Sequence, residues 1–238
     1  MSNFVLVHGA WHGGWCWRRV AQRLRREGHE VWTPTLTGHG ERAHLLSRQI
    51  DLGTHIEDVL GVLRVEDLGD VVLCGHSYGG MVITAVADRE RHRIAALVYL
   101  DAFVPRDGDC VLDLLPVERR AQFETGVRER GFGWLVPPVP AAVYKVNEAD
   151  RAWVDAQATP HPLACFEQKL ALTGAHETIA RRLYIRGAHY TPSPFAPVAE
   201  RLRHDPRWRV VDLPAGHDAM LDTPEEVAGL LREAVGPG

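Results

Sequence analysis

Two stretches, "VVLC" at residues 71–74 and "RIAALVYLD" at 93–101, show no polar alternation, and this constrains the fold more tightly than any other feature of the chain. A strand that is apolar on both faces must be covered on both faces, which places it inside a parallel sheet between helical layers. The neighbouring pattern fits that frame. Residues 4–7 and 30–34 read as strands, 17–27 and 54–65 as helices, the second with Ile56, Val59, Leu60 and Leu63 on one face. A small-residue helix to about residue 88 lies between the two apolar runs. "RLYIRG", a helix near 195–202, the strand "WRVVDLP" and a helix from about 225 continue the alternation, which implies an α/β chain with right-handed crossovers. From about 104 to 174 the rhythm is interrupted by prolines 105, 116, 137, 138, 140, 160 and 162. The expected organisation is therefore a core of residues 1–103 and 175–238 with a mostly helical cap insertion at 104–174.

Composition narrows the function. A net charge of −4 without a run of five like charges argues against nucleic acid or an anionic membrane as partner. No apolar stretch reaches membrane-spanning length and the first residues lack a basic leader, so a cytoplasmic protein is expected. Cys16, Cys74, Cys110 and Cys165 are widely spaced, which suggests neither zinc nor a disulfide framework. HExxH, P-loop and GxGxxG patterns are missing. The expectation is an enzyme without metal or cofactor acting on a small molecule, with a homodimer as its oligomeric option.

Between the first apolar run and the helix after it stands "GHSYGG". Gly75, Ser77 and Gly79 form G-x-S-x-G at a strand-to-helix turn, where glycines leave room for a sharp bend and the helix N-terminus favours developing negative charge. Ser77 is the candidate nucleophile. A serine hydroxyl needs a base, and "AGHDAML" puts His217 on the loop after the last strand. "VHGAWHGGWCW" follows the first strand, so the backbone N–H groups of Ala10 and Tyr78 are the candidate oxyanion donors. His8 and His12 share a four-residue spacing, but Gly9 and the preceding strand make this a loop rather than a helical metal site.

With these motifs, in this order and spacing, the chain resembles the α/β-hydrolase superfamily, and within it the small plant-type carboxylesterases (methyl esterases) and hydroxynitrile lyases with their bacterial relatives. The resemblance implies a mostly parallel sheet flanked by helices, a helical cap over Ser77, and hydrolysis through an acyl-enzyme. The lyases of this branch carry a threonine where this chain has Gly9 and a lysine where it has Asp218. A negative group there would oppose a cyanide anion, so lyase chemistry is disfavoured. Serine at the elbow excludes the aspartate-dependent dehalogenase and epoxide-hydrolase mechanisms. The reading is a carboxylesterase for small to medium apolar or aromatic esters. Thioester or lactone hydrolysis and a noncatalytic ligand receptor are the alternatives.

The triad acid is the difficulty, because "RGAHYTPSPF" lacks a carboxylate and His189 stands about where an aspartate is expected. Asp101, at the end of "AALVYLD", emerges at the same sheet edge as Ser77 and resembles the acid position of certain dehalogenases. Asp107, Asp109, Asp212 and Asp218 are the other carboxylates weighed. The cap carries Phe132, Trp134, Tyr144, Trp153 and Phe166, with Phe103 and Trp11 near its hinges. Trp11, Phe103, Trp134, Trp153 and His161 are the candidate substrate contacts, and changes in the cap are expected to act on substrate range and KM more than on the attacking machinery.

Overall fold

The two apolar runs pair side by side at the centre of a six-stranded, wholly parallel sheet in the computed structural model, which describes residues 1–235. Residues 236–238, the end of the expected second core segment, lie outside the described residues. The strands are β1 (Asn3–Val7), β2 (Glu30–Trp32), β3 (Val71–His76), β4 (Ile94–Leu100), β7 (Arg181–Gly187) and β8 (Arg209–Leu213), in the order β2-β1-β3-β4-β7-β8. In register, Leu73 is level with Val5 on one side and Leu97 on the other. Every residue of β3 is buried, whereas the edge strand β8 is largely accessible along its length.

Helices α1 (Arg18–Arg26) and α10 (Pro224–Val235) pack together, as do α2 (Leu52–Val65) and α3 (Gly79–Arg89). Helix α2 begins two residues before its expected start because Asp51 and Thr54 form a capping box: the Asp51 carboxylate accepts the Thr54 N–H at 2.8 Å. Its buried face runs through Leu52, His55, Ile56, Val59, Leu60 and Leu63. Helix α8 (Ala196–Arg203) leans on β7 and β8.

Between β4 and β7 lie the short helix α4 (Val111–Leu114), α5 (Val117–Arg130), α6 (Glu148–Gln157) and the turn-length α7 (Ala164–Glu167). The expected helical insertion also contains an antiparallel ribbon, β5 (Leu135–Val136) with β6 (His161–Pro162). Main-chain pairing explains it: Leu163 N–H bonds to Trp134 O at 2.8 Å, and Trp11 Nε1–H reaches Val136 O at 3.0 Å. The insertion is fastened to the core by a bidentate Arg19–Asp150 pair at 2.6 and 2.7 Å. No helix among the described residues is long and apolar enough to cross a membrane.

In the order β2-β1-β3 the chain reverses direction across the sheet at β1, and the cleft beyond the carboxyl ends of the strands at such a point is where α/β sheets place their ligands.

Candidate active site

Three non-glycine residues take the left-handed backbone conformation at that edge: Trp11 (φ 65°) after β1, Ser77 (φ 52°) after β3 and Asp101 (φ 42°) after β4. Such conformations are costly for side chains with a Cβ and persist only where the surroundings hold them. At Ser77 the surroundings are two close approaches. A Cβ on Gly75 would stand 2.6 Å from Gly79 O, and one on Gly79 would stand 2.8 Å from Val7 O. The glycines of the motif serve proximity, while the strained φ belongs to the serine itself.

The same elbow positions the acid. Ser77 N–H bonds to Leu100 O and Phe103 N–H bonds to Ser77 O, both at 3.2 Å, so the turn after β4 is stitched to the turn after β3. Asp101 N–H is held by Ile185 O at 2.6 Å. Its carboxylate then accepts His217 Nδ1–H at 2.7 Å and Gly187 N–H at 3.3 Å. Burial pushes the Asp101 carboxyl above its ordinary range against the pull of His217. A carboxylate on Nδ1 fixes the histidine tautomer and leaves Nε2 free to take a proton. Ser77 and His217 line one pocket, without a direct hydrogen bond between their side chains among the described residues. Such contacts commonly tighten only when substrate binds. Neither Ala10 N–H nor Tyr78 N–H has an acceptor among the described residues, and both residues line that pocket.

His217 is boxed by rings. Phe195 stacks on it at 5.2 Å, with Tyr144 at 5.1 Å and Tyr190 at 5.0 Å. Its own N–H bonds to Tyr144 O at 2.8 Å. Asp218, the next residue, is fully buried and turns the other way, to His12 Nε2 at 3.0 Å. His12 Nδ1 faces Ala10 O at 2.8 Å, so both of its nitrogens face acceptors, an arrangement that favours the protonated ring. Burial acts against both charges, but the pair outweighs it: His12 is raised and Asp218 lowered from their ordinary ranges. The expected negative group near the reaction centre is therefore absent from the pocket lining, and its carboxylate is paired with His12.

Of the expected substrate contacts, Trp11 and Phe103 line the pocket and three others do not. Trp153 packs against Trp15 at 4.9 Å, outside the pocket. Trp134 lies under the Arg48 guanidinium at 5.0 Å. His161 is buried beneath the pocket floor, stacked on His39 at 4.5 Å and 4.6 Å from Tyr78. Each is held by packing that competes with a place in the pocket. The pocket has about 400 Å³ of empty volume, including its mouth, and its walls also include Arg119, Phe123, Tyr190 and Phe195, none of them singled out from the sequence. Phe195 and Tyr190 belong to the segment read only for its missing carboxylate. Phe123 falls four residues after Arg119 on α5, a spacing that puts both on one helix face.

Among the described residues, two groups of metal-capable donors each fall within 4.8 Å of one another: His39, His55 and His161 in one, and His76, His217 and Asp218 in the other. In the first, His55 has both nitrogens engaged, by the Tyr78 hydroxyl and Thr37 O, and burial keeps all three rings neutral. In the second, His217 and Asp218 are committed to Asp101 and His12. His8, like His12, has both ring nitrogens engaged by the protein, at Gly9 O and Leu36 N–H.

A parallel sheet with a serine at a strained elbow after β3, and a histidine loop after its last strand, defines an α/β hydrolase. The chain belongs to that family: residues 4–230 match the model of the alpha/beta hydrolase family. It is a carboxylesterase-like hydrolase, 49% identical over 96% of its length, and 97% of the relative's, to a carbendazim hydrolyzing esterase of Nocardioides sp. (strain SG-4G). Methylesterase 10 of Arabidopsis thaliana is 31% identical over 44% of this chain and 38% of its own. Among solved structures, an extracellular alpha/beta-hydrolase from a Paenibacillus species, described as sharing structural and functional homology with tobacco salicylic acid binding protein 2, superposes with a TM-score of 0.85. It is 27% identical and covers 98% of this chain and 99% of its own.

Proposed function

We propose that the protein hydrolyses carboxylic esters of small to medium apolar or aromatic compounds through an acyl-enzyme on Ser77. The observation that carries this reading is the buried Asp101–His217 hydrogen bond of 2.7 Å beside a serine held at positive φ. Ser77 Oγ attacks the ester carbonyl while its proton passes to His217 Nε2, and the carbonyl electron pair becomes an oxyanion facing Ala10 N–H and Tyr78 N–H. The C–O bond to the alcohol breaks as His217 returns the proton to the leaving oxygen. Water then attacks the acyl-serine with His217 as base, and the acid departs. Asp101 keeps Nδ1 protonated and stabilises the imidazolium throughout.

The walls support the substrate class, since aromatic and aliphatic side chains predominate among them. The esterase relatives agree with ester cleavage. Lyase chemistry fits poorly, because a Cβ on Gly9 would stand 2.8 Å from both His76 Nδ1 and Ser77 Cβ, leaving no room for a threonine. A cytoplasmic location belongs to the same reading, supported by four free, buried cysteines. A panel of methyl and aryl esters with carbendazim, assayed for multiple turnovers by the wild type and Ser77→Ala, tests the proposal. Sustained turnover that vanishes in the variant is expected. Binding without turnover would make the protein a receptor, and turnover surviving in Ser77→Ala would exclude this mechanism.

A further inference from the structure

Arg119 is the only permanently charged side chain among the pocket walls, and its setting resembles a binding group more than a structural one. It is half-buried on α5, and its Nη2–H reaches the Tyr190 hydroxyl at 3.4 Å. No carboxylate lies within ion-pair distance of it among the described residues. The contrast is its neighbour on the same helix: Arg120, on the outer face, pairs with Glu124 at 2.9 Å. Arg128 and Arg130, exposed further along the helix, are likewise without a carboxylate within ion-pair distance among the described residues, so what sets Arg119 apart is its place in the pocket wall beside the Tyr190 hydroxyl.

The surroundings of Arg119 are cationic as well. Arg119, Phe123 and Tyr190 also line an adjoining open groove, whose walls add Arg130 and Lys145 and contain no aspartate or glutamate. In a chain with 31 acidic residues and a net charge of −4, an acid-free, three-cation approach runs against the overall balance. A guanidinium held partly out of water beside a phenol presents a planar fork suited to a carboxylate. The phenol stays neutral, since burial pushes Tyr190 up to about 12 although Arg119 draws it down. Accepting from Arg119, its oxygen still has a proton to donate.

We infer that Arg119, with the Tyr190 hydroxyl, binds a carboxylate at the end of the substrate remote from the scissile bond. The preferred substrates are then half-esters: an apolar or aromatic body with the ester at one end and an anion at the other. This rests on the esterase reading above and names its substrate class.

The test compares monomethyl esters of α,ω-dicarboxylic acids, succinate through suberate, with methyl alkanoates of equal length, and monomethyl terephthalate with methyl p-toluate. Methanol release is followed at low and high salt for wild type, Arg119→Gln and Arg119→Lys. At one chain length or in the aryl pair, the wild type is expected to favour the half-ester in kcat/KM. Arg119→Gln should lower the half-ester to neutral-ester ratio at least tenfold, mainly through KM, with partial recovery in Arg119→Lys. Salt should depress only the half-ester in the wild type, a readout that stands even if a variant misfolds. A ratio unchanged within about threefold in folded Arg119→Gln, or no half-ester preference at any length, would overturn the inference while Ser77-dependent turnover of neutral esters stood. Absence of turnover in both series would overturn the esterase reading and this inference together.

Discussion

At the scale of residues, the site consists of two buried histidine–aspartate pairs of opposite orientation on consecutive positions. His217 turns to Asp101 and Asp218 turns to His12. The first pair is the one proposed for chemistry: replacing Asp101 by Asn should leave the fold intact and lower kcat by about 10²–10⁴-fold, because the amide no longer holds the productive tautomer. Steady-state kinetics on a p-nitrophenyl ester measure this, and a folded variant within about threefold of wild type would remove Asp101 from the mechanism. The second pair serves stability. Asp218 lies below its ordinary range, so its contribution is complete above its unfolded value of about 4 and is lost as pH falls below that. His12 lies above its ordinary range, so its contribution is complete below about 6.5 and fades as pH rises through the raised value. Asp218→Asn should therefore destabilise by about 3 kcal/mol between roughly pH 4 and 6.5, with a smaller difference from wild type at pH 9. Urea denaturation at both pH values checks the sign. The candidates Ser77 and His217 were read from position along the chain and Asp101 from where its strand ends, and the structure places Ser77 and His217 on one pocket and Asp101 against His217. His12–Asp218 was not, since its partners are 206 positions apart and either residue alone reads as a loop polar group.

At the scale of elements, periodicity located the strands and helices of the sheet because burial on one or both faces writes directly into the sequence. The insertion was less readable, because an aromatic ring packs equally well into a pocket wall or a helix interface, and composition does not distinguish the two. Trp153 and Trp134 went to outer packing, while Phe123 of α5 went to the pocket with Trp11 at 5.7 Å. The consequence is measurable. Phe123→Leu should move the preferred acyl chain upward by one or two carbons, changing relative kcat/KM by about tenfold, the value of a methylene in an apolar pocket. Trp153→Ala should change chain-length preference by less than about twofold. The opposite ranking across a p-nitrophenyl ester series would return Trp153 to the pocket.

At the scale of the whole molecule, the insertion helps hold the loop that carries His217. Tyr144, from the insertion, supplies the carbonyl that holds His217 N–H, and a Cβ on Gly216 would stand 2.3 Å from Lys145 O. Asp222 joins the two parts by accepting Asn147 N–H at 3.0 Å and Gly216 N–H at 2.8 Å. Changes at this junction are therefore expected to act on kcat as well as on KM, because they would shift the loop that carries His217. Asp222→Ala, outside the pocket, should lower kcat by about ten- to a hundredfold, as a displacement near 1 Å does, and kcat within twofold of wild type would show the junction to be dispensable. Held in this frame, Ser77 is expected to be the one serine open to covalent attack. Intact-protein mass spectrometry after treatment with a fluorophosphonate tests this: a single adduct is expected, located on Ser77 by peptide mapping and absent from folded Ser77→Ala. An unmodified wild type, or an adduct that persists at another residue in Ser77→Ala, would contradict it.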